Sequence, residues 1–266
     1  ASVTFSSAGV ARRMVLADVD VDAANLGLVL SPHTEETHDF MGGSIAEIDP
    51  EACQGCGMCA EVCRFDAVKA AAHGHGLGGL FVYYSWNEKA YPQDCFRMTM
   101  VSNHDKNAWE GTEFEQFGDC LEGAIVLSVI SEGMPLIYNG QEAGNERRLA
   151  FFERDPIDWR PHPLGELYRK LFALKRDNTA LWNAAWGARM VNAPNNTPTQ
   201  VLSFVRQNER DRVFAVFNFS DRPQTVTFHE ALHHGNYTDF FSGECVAFDS
   251  QTRLEIERWG YRVYVR

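Results

Sequence analysis

The stretch FRMTMVSNHDK, residues 96–106, joins a short apolar run to a polar turn. Its first half, Phe96 to Met100, is typical of a buried strand, and His104 and Asp105 follow where that strand ends. In a parallel barrel the carboxyl ends of the strands carry the active site, so a carboxylate and an imidazole in this place favour a chemical role. Taken alone, such a pair is more often a helix cap or a surface pair. The surrounding sequence therefore has to distinguish a structural role from a chemical one.

The residues that follow predict a second strand parallel to the first. From Glu113 to Ser131, apolar side chains recur at helical spacing and give one buried face. Gly133 and Pro135 end that helix, and the segment from Leu136 to Glu142 has the pattern of a further short strand. Strand, helix and strand in this order predict a parallel βαβ unit.

These two segments resemble the alpha-amylase family, glycoside hydrolase family 13. FRMTMVSNHDK and SEGMPLIYNGQE (residues 131–142) look like strands seven and eight of that family's catalytic barrel, and the resemblance extends over about residues 80–266. It implies a partial (β/α)8 barrel, with α-1,4-glucans such as starch and maltooligosaccharides as the substrate. It also implies that Asp105 stabilises the transition state and that His104 and Asn103 bind the substrate.

The segment RFDAVK, residues 64–69, resembles the strand-four motif of the same family. This resemblance implies that Asp66 is the nucleophile and that Arg64 orients it, although Ala70 stands where the family usually has a histidine. Asp66 and Asp105 are 39 residues apart. That distance is too short for the intervening βα units, which take roughly 30 residues each.

The acid/base glutamate of the family has no recognisable counterpart. Glu88 precedes the first predicted strand of the βαβ unit, but it lacks a strand pattern around it. A retaining glycosidase needs two carboxylates, one as the nucleophile and one as the acid/base. We therefore expect an amylase-like glycoside hydrolase that is catalytically incomplete.

Four cysteines have the spacing of the iron–sulfur run of bacterial ferredoxins: Cys53, Cys56, Cys59 and Cys63. This spacing predicts a [4Fe–4S] cluster, and an iron–sulfur electron carrier is an alternative function. Arg64 replaces the usual proline, and no second run exists, since the other three cysteines are scattered singles. The four thiols could instead bind zinc or form disulfides.

The amino-terminal segment resembles a piece of a MinD-like P-loop ATPase. Met14 to Ala17 predicts a short strand, and Asp18, Asp20 and Asp22 follow at its carboxyl end. Residues 4–13 contain no glycine-rich loop with Gly-Lys-Ser/Thr, which a phosphate cradle needs, so nucleotide hydrolysis is not expected. Ferredoxin inserts occur in such ATPases, so residues 1–70 resemble one piece of such a protein. Because the rest of the chain resembles an alpha-amylase, the whole chain resembles a chimera. A fusion of gene fragments without catalytic function is a further alternative.

The hydrophobic pattern of the carboxyl-terminal part changes from helical to alternating beyond Trp186. A helix is predicted from Leu164 to Leu181, and the alternating runs with turn signals between them predict an antiparallel β-sandwich. This part resembles the C-terminal β domain of alpha-amylases. The predicted strands are Val201–Val205, Val213–Phe217, Thr225–Phe228, Tyr237–Phe241, Cys245–Phe248, Leu254–Ile256 and Tyr261–Val265.

The composition is that of an acidic protein with enough apolar residues for a core. The formal net charge is −12, and 45% of the residues are hydrophobic. A charge of this sign argues against nucleic acid and anionic membranes as partners. No run has the length of a membrane span and no signal segment opens the chain, so a cytoplasmic location is predicted. The clustered cysteines also suit a reducing compartment.

These patterns predict an α/β plus all-β chain in three parts. Residues 1–76 are expected to form a MinD-like or ferredoxin-like segment, residues 77–184 a partial barrel, and residues 185–266 the β-sandwich. Two strands of a barrel leave sheet edges unpaired and inward faces uncovered. We expect either residues 1–70 or self-association with a second copy of the chain to cover them.

Overall fold

The computed structural model describes residues 2–7, 10–15 and 76–266. The chain divides into two compact units, residues 1–54 and residues 55–266. In the first unit, strands β1 (Ser2–Ser7) and β2 (Val10–Val15) form an antiparallel hairpin. The strand predicted from Met14 to Ala17 overlaps the end of β2, and the acidic residues that follow it lie outside the described residues.

The helical part of the second unit contains one parallel pair of short strands. Its elements are α1 (Gly78–Ala90), β3 (Met98–Thr99), α2 (Glu113–Phe117), α3 (Leu121–Ile130), β4 (Met134–Pro135) and α4 (Pro163–Asp177). β3 and β4 pair in parallel, and α2 and α3 lie between them in sequence. The predicted βαβ unit is therefore confirmed, whereas the larger partial barrel remains a prediction.

The helix predicted from Glu113 to Ser131 is divided into α2 and α3. Gly118 has a φ of +50°, a left-handed value that favours glycine, and it opens a 3-10 turn that ends at Cys120. α2 begins with a capping box. The Thr112 hydroxyl accepts a hydrogen bond from the Glu115 N–H, and the Glu115 carboxylate accepts one from the Thr112 N–H.

Gly133 fixes the place where β4 begins. It has a φ of +143°, and a Cβ atom there would lie 2.6 Å from Cγ2 of Thr99 and 2.9 Å from the carbonyl oxygen of Arg97. Only glycine lets the two strands approach this closely, so β4 starts directly after it. The strand predicted from Leu136 to Glu142 is therefore wrong in position, because β4 ends at Pro135 and the polar end of the predicted segment forms a loop and a 3-10 turn.

The carboxyl-terminal strands form the antiparallel β domain that the alternating pattern predicted. They are β5 (Met190–Asn192), β6 (Val201–Gln207), β7 (Arg212–Asn218), β8 (Gln224–Val226), β9 (Gly235–Asp239), β10 (Cys245–Phe248), β11 (Leu254–Ile256) and β12 (Tyr261–Val265). Six of them make one sheet in the order β10-β9-β12-β7-β6-β5, and β8 pairs with β11 in a second sheet. β5 was not predicted.

The six-stranded sheet is a middle layer, because both of its faces are covered. On one face, Phe204 packs in a core with Ile125 of α3 and Leu171 of α4. On the other face, Phe214 packs in a core with Val226 of β8. Successive side chains of a strand point to opposite faces, so nearly every residue of β6 and β7 is buried. The division into predicted domains 77–184 and 185–266 remains a prediction.

Two buried basic side chains, Lys175 of α4 and Arg206 of β6, donate to backbone carbonyls at the end of α3, and we call this pair the polar seam. Lys175 Nζ donates hydrogen bonds to the carbonyl oxygens of Val129, at 3.2 Å, and Leu181, at 2.8 Å. Arg206 donates to the carbonyl oxygens of Ile130, Ser131, Trp182 and Ala188. The last carbonyls of a helix lack partners within it and favour cations. Burial lowers the pKa of Lys175 to about 7 and that of Arg206 to about 10.

Candidate functional site

His104 and Asp105 lie beyond the carboxyl end of β3, on the first turn of a short helical segment. Asn103 caps this turn, because its Oδ1 atom accepts a hydrogen bond from the Lys106 N–H at 2.8 Å. The side chains of His104 and Asp105 are 48% and 55% exposed, and Nε2 of His104 lies 3.5 Å from Oδ2 of Asp105. The pair is therefore accessible to a ligand.

A single π-helical turn, Lys106–Glu110, follows the pair. Such turns are rare and are frequently found at functional sites. The buried side chain of Asn107 connects this turn to the loop after β4. Its Nδ2 atom donates to the Arg147 carbonyl oxygen at 3.3 Å, and its Oδ1 atom accepts from the Leu149 N–H at 2.7 Å. One amide thus fastens that loop beside the turn that carries His104.

An exposed aromatic surface, which we call the aromatic platform, adjoins His104. It consists of Trp109, Phe151 and Phe152. The Phe151 ring centroid lies 5.5 Å from that of His104, 5.5 Å from that of Trp109 and 4.6 Å from that of Phe152. Trp109 is 64% exposed and Phe152 is 81% exposed. Neighbouring exposed aromatic rings mark a binding surface, because water is a poor environment for their faces and a ligand can cover them.

The loop that carries the two phenylalanines of the platform is held by ion pairs. Both terminal nitrogens of Arg147 lie 3.1 Å from Oδ1 of Asp155, and the Ala150 N–H donates to Oδ2 of the same carboxylate. This N–H, together with Arg147, lowers the pKa of Asp155. Arg148 Nε donates to Glu115 Oε2 at 3.0 Å. These contacts restrain the loop, and restraint of this kind reduces the entropy lost when a ligand binds.

Glu113 is a buried carboxyl group that the sequence patterns did not single out. It is 2% exposed, and its Oε1 atom has no hydrogen-bond partner among the described residues. Burial raises the pKa of Glu113 to about 7. Burial also raises the pKa of Tyr168, and the charges of Glu113 and Glu142 add to that effect. The sequence feature that could have drawn attention to Glu113 is its position directly after Thr112, the residue that caps α2.

The structure brings together only some of the predicted site residues. His104, Asp105 and Asn103 lie on one turn, whereas Arg64 and Asp66 are outside the described residues. The cysteines of the ferredoxin-type run are also outside them: Cys53, Cys56, Cys59 and Cys63. Within residues 76–266, no three His, Cys, Asp or Glu side chains form a group that could hold a metal ion.

Two family models match parts of the chain. Residues 191–263 match the model described as maltogenic amylase, C-terminal domain, and this range covers most of the antiparallel β domain. Residues 46–69 match the model described as 4Fe-4S binding domain, and this range contains the four-cysteine run. Each match covers less than half of the chain, and comparison with curated proteins found no match.

Several solved structures similar to this chain are amylases or related enzymes. A noncanonic maltogenic alpha-amylase from Thermotoga neapolitana has a TM-score of 0.62 and 17% identity, over 75% of this chain and 48% of that chain. An alpha-amylase from Geobacillus thermoleovorans, complexed with acarbose, has a TM-score of 0.61 and 16% identity, over 75% and 46%. A cyclomaltodextrinase has a TM-score of 0.62 and 14% identity, over 75% and 35%.

These structures establish the fold, and this chain spans less than half of their length. Together with the match at residues 191–263, they support the resemblance of the carboxyl-terminal part to the alpha-amylase family. None of the matches named here is to a MinD-like ATPase, so that resemblance remains a prediction.

Proposed function

We propose that the chain recognises α-1,4-glucans in the manner of an alpha-amylase-type glycoside hydrolase, with His104 and Asp105 in contact with the sugar. One observation carries the proposal: an exposed His-Asp pair at the carboxyl end of a parallel strand lies against an ordered aromatic platform. The amylase-type β domain that follows in the same chain adds support. Sugar rings have apolar C–H faces and polar edges, and this surface offers a partner to each.

The chemistry of each side chain fits this role. The Asp105 carboxylate can accept hydrogen bonds from two sugar hydroxyls, and the His104 imidazole can donate to a third. Rings of the platform can stack on the C–H face of a glucose unit. Asn103 uses its side-chain oxygen to cap the turn, so its amide N–H groups are the part that can contact a sugar.

Hydrolysis needs more than this surface. Asp105 can stabilise the positive charge of an oxocarbenium-like transition state, but a retaining mechanism also needs a nucleophile and an acid/base. Asp66, oriented by Arg64, is the candidate nucleophile that the family resemblance provides. Glu88 lies inside α1 rather than at a strand end, which argues against it as the acid/base. We therefore propose that this chain binds α-1,4-glucans but hydrolyses them slowly or not at all.

Retention in a native gel that contains soluble starch tests the proposed function. We expect starch to slow the wild-type protein and the Trp109→Ala variant to bind about tenfold more weakly, because the platform loses its largest ring. Trp159→Ala is the matched control, since Trp159 is exposed like Trp109 but lies on the loop after β4, outside the platform. Migration of the wild type unchanged by starch, or equal loss in both variants, would contradict the proposal.

An iron–sulfur electron carrier is the second candidate function, and the match at residues 46–69 favours it. Cys53, Cys56, Cys59 and Cys63 supply the four thiolates that a [4Fe–4S] cluster takes. Anaerobic reconstitution with iron and sulfide is expected to give the visible absorbance of a cluster, and Cys56→Ser is expected to abolish it. A reconstituted protein that stays colourless would remove this candidate.

Self-association and cellular location remain proposals. β3 and β4 form a sheet of only two strands among the described residues, so their outer edges could pair with a second copy of the chain or with the amino-terminal segment.

None of the helices in the described part of the chain is long and apolar enough to cross a membrane. A cytoplasmic location remains the sequence-based prediction.

A further inference from the structure

A wide groove lies where the helical part meets the β domain, away from the His104–Asp105 turn. Its walls come from the α2–α3 junction, the start of α4, and the turns that follow β9 and β11. Its volume is about 820 Å³, within the range of about 300–1,000 Å³ that is typical of small-molecule sites. Aromatic and acidic side chains that line it include Phe114, Asp119, Glu122, Phe241, Trp259 and Tyr261.

Trp259 stands on the groove in an unfavourable backbone conformation. Its φ is +54°, a left-handed value that costs free energy for any residue larger than glycine and is unusual for a bulky one. The Trp259 N–H donates to the Ser220 carbonyl oxygen, and the Gly260 N–H donates to that of Glu257, so the turn is fixed. Glycine would hold the same turn without strain. The indole is partly buried against the helix-side core and also lines the groove, and strain of this kind collects at functional positions.

Two of the carboxylates that line the groove already have side-chain partners. Tyr261 donates its hydroxyl to Glu122 Oε2 at 3.2 Å. Asp119 Oδ2 lies 3.6 Å from a terminal nitrogen of Arg258, and both side chains are largely exposed. A carboxylate that is paired in this way attracts a cationic ligand weakly but still has oxygen lone pairs for hydroxyl donors. The groove therefore suits a neutral ligand that is rich in hydroxyl groups.

The aromatic walls of the groove are held in place by neighbouring contacts. Phe241 and Tyr261 meet edge to face with centroids 5.4 Å apart, and Phe114 meets His162 in the same way at 6.4 Å. Both walls belong to the unit that contains residues 55–266, and Tyr261 packs against its helix-side core. A ligand thus meets a surface whose shape is already set.

We propose that this groove is a second carbohydrate site, which binds a neutral oligosaccharide through stacking on Trp259 and hydrogen bonds to Glu122 and Asp119. The choice of an α-glucan as the first probe rests on the proposed function. The rings, carboxylates and strained turn of the groove support the site independently of that choice.

Fluorine NMR of fluorotryptophan-labelled protein, titrated with maltoheptaose, tests this proposal. The chain has six tryptophans, so each site has its own reporter: Trp259 for the groove and Trp109 for the platform. Trp182, beside the polar seam, is the control resonance. We expect the Trp259 resonance to shift in a saturable way and the Glu122→Gln variant to weaken that shift about tenfold, because a charged acceptor is lost.

Two further variants separate the sites and guard against misfolding. Trp259→Gly relieves the strained turn and is expected to abolish groove binding while the Trp109 shift persists. Asp105→Asn is expected to weaken the Trp109 shift and leave the Trp259 shift unchanged. A Trp259 resonance that maltoheptaose and cellohexaose both fail to shift, in a protein that melts cooperatively, overturns the groove proposal. A Trp109 resonance that never shifts counts against the proposed function alone.

Discussion

Replacement of Arg206 by leucine is expected to lower the free energy of unfolding by about 3–5 kcal/mol. The guanidinium is almost fully buried and donates to four backbone carbonyls at 2.8–3.0 Å. Leucine fills part of the volume but offers no donor, so these buried acceptors lose their partner. Urea denaturation, followed by both circular dichroism and tryptophan fluorescence, measures the change.

Arg222→Leu is the matched control for this prediction. Its side chain is 80% exposed and only approaches Asp221, at 3.6 Å, so we expect a change within about 0.5 kcal/mol. Arg206→Lys is expected to lie between the two, because one ammonium group cannot reach all four carbonyls. A loss below about 1 kcal/mol for Arg206→Leu would mean that the polar seam does not hold the helices on the sheet.

Replacement of Asp105 by asparagine is expected to weaken maltoheptaose binding at the His104–Asp105 turn by about 10- to 100-fold. A hydrogen bond to a charged acceptor is worth about 1.5–3 kcal/mol, and asparagine replaces one oxygen by a donor that cannot accept from a hydroxyl. Because Asp105 is half exposed, the substitution should leave the fold unchanged. Isothermal titration calorimetry measures the affinity, with the Trp259→Gly background isolating this site.

Asp158→Asn serves as the control for Asp105→Asn. Asp158 is an exposed carboxylate on the loop after β4, outside the platform, and its substitution removes the same charge. We expect its affinity to stay within about twofold of the wild type. An equal loss in both variants would show that general electrostatics, rather than a contact of Asp105 with the sugar, determines affinity.

Local periodicity was sufficient to predict much of the fold. The alternating runs after Trp186 identified most strands of the β domain, because burial on a pleated sheet imposes a period of two. β5 escaped prediction because its three residues depend on pairing with β6. Gly133 indicated the end of a helix but not that β4 would begin at the next residue, which depends on its close approach to Thr99.

Only those residues of the candidate site that lie together in one short stretch of sequence could be predicted. His104 and Asp105 follow a strand in a recognisable motif, so their position could be expected. Phe151 joins them through tertiary packing of a loop more than forty residues away, which no local pattern reports. Arg206 lies one residue beyond the predicted strand Val201–Val205, and its burial depends on where the end of α3 docks.

A crystal structure of the protein with maltoheptaose would show whether the His104–Asp105 turn binds the sugar. We expect a glucose unit with hydroxyl oxygens within hydrogen-bond distance of Asp105 and His104 and one face against Trp109 or Phe151. Sugar seen only in the groove at Trp259, or no sugar at saturating concentration while the His104–Asp105 turn is open to solvent, would contradict it.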